Sequence, residues 1–129
     1  FSPVYVDNLV DAIVAAAEHP DAAGQVFTVS DGVGVTNAEF FGRYAAMLGI
    51  ELPLLPAHEI RARFQAIEEA DQAAGRPPGL NAETVDYFLR TGTYSIAKAR
   101  RVLGYEPKVD LDAGMVRTEA WLREVGLLL

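Results

Sequence analysis

One stretch constrains the chain more than any other: PVYVDNLVDAIVAAAEHPDAAGQVFTVSDG, Pro3 to Gly32. It reads as strand, helix, strand. Val4, Tyr5 and Val6 are a β-prone run. Asp7 follows as an N-cap, its carboxylate placed to accept from an unpaired amide of the first turn. Leu9, Val10, Ile13, Val14 and Ala17 recur at helical spacing and make a wide apolar stripe. His19-Pro20 ends the helix, because the residue before a proline is driven out of helical geometry. Val26 to Ser30 reads as a largely buried strand, stopped by Asp31-Gly32.

The rest of the chain is mostly helical by the same signals. Thr36 to Glu39 is a capping box, opening a helix with Phe40, Phe41, Tyr44, Ala45 and Leu48 on one side. Gly49 stops it. Ile50 to Leu55 reads as a third strand, an edge one because Pro53 cannot donate to a ladder. Pro56 opens a charged helix with a narrow seam of Ile60, Phe64 and Ile67. That helix frays into the loop Ala73 to Gly79. Asn81 caps a short helix with Val85, Phe88 and Leu89 inward. Ser95 caps IAKARRVL, closed by Gly104. Asp110 caps the last helix, whose face is Leu111, Met115, Thr118, Leu122 and Val125, with Trp121 beside it in the core or on its rim.

Length and composition narrow the function. A chain of 129 residues holds one domain with a core, residues 1–129, and not two. With no cysteine, disulfides and thiolate chemistry are excluded. Two histidines far apart argue against a histidine metal site. A net charge of -7 argues against nucleic acid, whose phosphates need a basic surface. No apolar run spans a membrane and no signal peptide opens the chain, so a cytoplasmic location is expected. The start at Phe1 suggests a piece of something longer. Gly32-Val33-Gly34 lacks the third glycine of a dinucleotide loop, since Asn37 stands there. Asp7 as a cap outweighs Asp7 as a general base, and His19 suits a helix C-terminus.

Two stretches carry a resemblance. PVYVDNLVDAIVAAAEHPDAAGQVFTVSDGVGVTNAEFFGRYAAMLG and YSIAKARRVLGYEPKVDLDAGMVRTEAWLREVG resemble the C-terminal half of extended short-chain dehydrogenases, the NAD-dependent epimerase/dehydratase superfamily. GRPPGLNAETVDYF, Gly75 to Phe88, replaces the arginine-glycine-acid stretch of nucleotide-sugar enzymes. In this it looks more like the 3β-hydroxysteroid dehydrogenase and dihydroflavonol reductase branch. Tyr94 to Lys98 matches that family's YxxxK, but Thr91-Gly92-Thr93 sets Tyr94 before its helix. The family's upstream serine is also absent from Leu80, Asn81 and Ala82. A structural aromatic is therefore the better reading.

The resemblance implies an α/β fold: the C-terminal part of such an enzyme, mostly helical with a few short strands, its Rossmann half absent. It implies a parent that moves a hydride between NAD or NADP and a hydroxyl or ketone of an apolar small molecule. This chain would supply the substrate side and carry no catalytic, cofactor or metal residue. The substrate-binding candidates are Tyr5, Arg61 and Phe64. A nucleotide-sugar epimerase or dehydratase is the alternative parent, with Arg76 or Arg101 gripping the nucleotide. A stand-alone interaction module is the second alternative. The Rossmann half would cover the first helix and the Val26 to Ser30 edge, so the chain alone is expected to be a homo-oligomer.

Overall fold

A computed structural model describes residues 1–77, 79 and 81–128, with only the backbone of Ala82. Pro78 in the expected loop, and Leu80 in the serine comparison, lie outside the described residues. The helices are α1 (Val6–Glu18), α2 (Asn37–Met47), α3 (Ala57–Ala73), α4 (Ala82–Leu89), α5 (Ala97–Leu103) and α6 (Leu111–Glu124), with a 3-10 turn at Pro20–Ala22. The chain forms two compact units. One comprises Phe1–Glu51 and Gly92–Leu129, the other Leu52–Thr91. No described helix is long and apolar enough to cross a membrane.

In the first unit α1 packs on α5. The core gathers Ala12, Ile96, Ala99, Leu103 and Tyr105, with Ala15, Ala16, Phe27 and Val29 against it. Small side chains at Ala12 and Ala99 let two backbones approach closely. The outer edge of α1 is the opposite. Val6, Leu9, Val10, Ile13 and Val14 are all exposed, Ile13 at 59%. The apolar stripe that defines this helix in the sequence thus faces away from the core that holds it.

The short strands expected at Val4–Val6, Val26–Ser30 and Ile50–Leu55 are not seen; among the described residues no strand forms. Phe1 and Val35 exchange two backbone bonds, at 2.7 and 3.0 Å, and the Asp31 amide donates to the Pro3 carbonyl at 2.8 Å. The pairing goes no further, because Pro3 has no amide to give and the next residues turn into α1. Val26 is 84% exposed, Phe27 and Val29 are half-buried against the core and Ser30 is buried, so the segment expected to be largely buried faces inward at Phe27, Val29 and Ser30 only. Extended backbone without a laddered neighbour is not a strand.

Several caps fall where the sequence puts them. Thr36 and Glu39 form the capping box, Asn81 accepts from the Thr84 amide and Asp110 from the Ala113 amide. Gly49 and Gly104 take left-handed backbone just beyond their helices, with φ of 65° and 64°. Others differ. α1 starts at Val6 with Tyr5 as its N-cap, two residues before the expected cap, and Asp7 stands exposed in its first turn. α5 is capped at Ile96, while the Ser95 hydroxyl accepts from the Ala97 amide at 3.2 Å. Trp121 is 55% exposed rather than in the core. Phe88 and Leu89 are exposed too, because an eight-residue helix has too narrow a buried side to hold them beside Val85.

In the second unit α3 packs along α4. No described residue of α3 is fully buried, in keeping with its narrow seam. Asp86 on α4 takes a bond from Arg61 on α3 at 2.5 Å. Asp71 takes two from Arg76, at 2.9 and 2.6 Å. Both pairs are exposed on at least one side, where solvent screens them and they hold the fold only weakly.

Candidate functional site

The first unit is tied together by a buried polar knot. Asn8, 1% exposed, uses both ends of its amide. Its Nδ2 donates to Asp31 Oδ1 and to the Val109 carbonyl, each at 2.7 Å. Its Oδ1 accepts from the Lys108 and Val109 amides at 2.9 and 3.1 Å. Asp31 also accepts from the Tyr5 amide, at 3.0 and 3.1 Å to its two oxygens. The carboxylate at the start of α1 is therefore Asp31, from a distant turn, and not Asp7. A negative group there is favoured by the helix dipole. Asp7 instead pairs with Arg117 at 3.1 Å.

Tyr105 closes the knot, its hydroxyl donating to the Ser30 carbonyl at 3.0 Å. Burial holds that phenol above its ordinary pKa, and the negative charge of Asp31 adds to the effect.

Where α1 and α6 begin, the same unit forms a half-open cavity of about 290 Å³. Its apolar wall includes Val4, Phe40, Leu111 and Met115. Tyr5, Tyr44 and Thr118 add hydroxyl-bearing side chains, and Asp31 and Asp110 are the charged members of the lining. No Lys or Arg lines it. Gly114 shapes one side: a Cβ there would come within 2.9 Å of Tyr5 Cδ2, so the bare α6 backbone is what seats the tyrosine ring.

Of the three expected substrate residues, Tyr5 lines this cavity. Arg61 and Phe64 lie on α3 in the other unit, three positions apart on one helix. Arg61 is held by Asp86, whose hydrogen bond raises the guanidinium pKa and lowers that of the carboxylate. Phe64 is half-buried. Tyr94 precedes α5 and is exposed, its amide donating to Ser2 Oγ at 3.3 Å. Lys98 reaches instead to the Val26 carbonyl at 2.9 Å and lies 4.9 Å from the centre of the Phe27 ring. Lys98 is thus engaged away from Tyr94, whose side chain is exposed before the helix. Among the described residues no cluster of acidic or histidine side chains suits a metal ion.

Asn8 and Asp31 are the residues that sequence reasoning missed. A signal was present: Asn8, Ala12, Ala15 and Ala16 form an edge of small and polar residues, the composition of a close helix contact rather than of a solvated face.

No family model matches the chain. Relatives do. The chain is 31% identical over 117 residues to UDP-glucose 4-epimerase of Vibrio cholerae, covering 91% of this chain and 33% of that protein. It is 37% identical over 118 residues to short-chain dehydrogenase/reductase family 42E member 1 of Danio rerio, covering 82% and 30%. The chain thus spans about a third of the length of these curated relatives. Among solved structures it matches the crystal structure of gox2253 with a TM-score of 0.69 at 23% identity, over 98% of this chain and 38% of that one. That match bears on the fold alone.

Proposed function

The chain belongs to the extended short-chain dehydrogenase/reductase superfamily of epimerases and dehydratases, and from that premise we propose that it is the substrate-side portion of an NAD(P)-dependent oxidoreductase. The parent acts on a hydroxyl or ketone carbon of an apolar small molecule, in the cytoplasm. The observation that carries this reading is the outer edge of α1. Five bulky apolar side chains lie exposed on one helix, in a chain a third as long as its relatives. A Rossmann half bearing cofactor and catalytic residues is the cover this reading assigns to them. Alone, the chain hides the same edge by self-association, which light scattering tests; a monomer at high concentration counts against it.

The chain's own residues do not fit a dinucleotide. A Cβ at Gly34 would lie 2.1 Å from Thr93 Cγ2, so that glycine serves a contact within the protein and not an approach to phosphate. The start of α1, where a helix dipole would attract a pyrophosphate, already holds the Asp31 carboxylate. On this reading the cofactor is assigned to the other half, and Tyr5, Arg61 and Phe64 to substrate. The test is turnover. The full parent should oxidise apolar secondary alcohols with NAD or NADP while the 129-residue chain should not. Turnover by the chain alone overturns the assignment.

The Vibrio cholerae relative favours a second reading, an epimerase or dehydratase of nucleotide sugars. Arg76, one of its two candidate grips, is engaged by Asp71 at 2.6 Å, which counts against it. UDP-sugar binding by the parent, lost in Arg101→Ala, would reverse the preference.

A further inference from the structure

We propose that the cavity at the starts of α1 and α6 is a binding site for a small, largely apolar molecule without negative charge that bears one hydrogen-bond donor, such as a phenol. The inference deepens the oxidoreductase reading and rests on it in one respect, since Tyr5, assigned there to substrate, lines this cavity. The cavity lies wholly within one unit.

Size comes first. At about 290 Å³ the space is at the small end of ligand pockets, enough for a substituted single ring. Shape comes next. The rings of Tyr5, Phe40 and Tyr44 line the space. Phe40 and Tyr44 already meet edge-on, their centres 5.6 Å apart, so a third ring has aromatic partners to pack on. Met115 on α6 supplies a thioether that adapts to irregular contours.

Polarity then narrows the chemistry. Asp31 is 8% exposed and is anchored by the Tyr5 amide and the Asn8 side chain. Its Oδ2 accepts from the Tyr5 amide, and a carboxylate oxygen can take a second donor beside the cavity. Asp110 adds a second carboxylate to the lining. Two negative groups with no Lys or Arg among the lining residues repel carboxylates and phosphates. A hydrogen-bond donor that carries no negative charge is the complement.

The chain itself provides the test, because it has two methionines and Met47 does not line the cavity. With 13C-methyl methionine and 4-ethylphenol as probe, the Met115 methyl resonance should shift saturably while Met47 stays still. 4-Ethylbenzoate, of similar size but anionic, should bind at least about tenfold more weakly. Thr118→Phe, which fills the space, should abolish the Met115 response. Equal shifts at both methionines, no saturation, or benzoate binding as tight as the phenol each overturn the proposal. If Thr118→Phe does not fold, the two-methionine comparison in the unaltered chain decides. Parent turnover is not read here, so failure of this site and failure of the oxidoreductase reading stay distinguishable.

Discussion

The two edges of α1 invert the usual rule. The inner edge holds Asn8, Ala12, Ala15 and Ala16; the outer holds Val6, Leu9, Val10, Ile13 and Val14. The inner edge is the buried one, with Asn8 at 1% exposure and Ala12 at 2%. Bulk and hydrophobicity therefore do not locate this unit's core; close approach and saturated polar bonds do. An amide that makes four bonds inside can be as decisive as a leucine.

Substitutions can break or sharpen that contrast. The largest effect is expected at Asn8→Ala. It strands the Val109 carbonyl, two backbone amides and part of the Asp31 carboxylate, and should cost about 3–5 kcal/mol in a urea melt. A loss below about 1 kcal/mol would show that the knot is ornamental. Next is Ala12→Leu, which overpacks the α1–α5 contact and should cost about 1–3 kcal/mol by the same measurement.

Tyr105→Phe should cost about 1 kcal/mol through the lost bond to the Ser30 carbonyl. It carries a pH signature. Because the folded phenol has a raised pKa, the folded state holds its proton longer than the unfolded chain does. That contribution is complete below the unfolded value near 10 and is lost as pH rises through the folded value. The unaltered protein should thus lose stability above about pH 10 more steeply than Tyr105→Phe. Ultraviolet titration should find one of the five tyrosines ionising late.

The smallest effect belongs to the outer edge. Val10→Ser with Ile13→Ser should change the stability of the chain by under about 0.5 kcal/mol per site, while reducing self-association in light scattering. A large loss of stability would mean that the edge is packed within the chain after all.

Much of this was legible beforehand. The helices were, because 3.6-residue periodicity and caps such as Thr36, Asn81 and Asp110 are local signals. The strands were not, because a strand is completed by a neighbour. Val26 to Ser30 has the composition of one, and no described segment pairs with it. Tyr5, expected as a substrate residue, lines the cavity. Asp31 was not legible, since its partners Tyr5 and Asn8 lie 26 and 23 residues away and no spacing rule connects them. Asp7 misled for the same reason: it stands where a cap belongs, but a carboxylate from another turn arrives first.

The reach of the Asn8 bonds has a consequence for biosynthesis. Asn8 meets partners 100 and 101 positions later in the chain. At about 5–20 residues per second, α1 leaves the ribosome many seconds before the segment that clamps it has been polymerised. Throughout that interval Asn8 and the small-residue edge of α1 have no clamp on the nascent chain, whereas the outer edge is exposed before and after, so this helix is locked in place only near the end of synthesis.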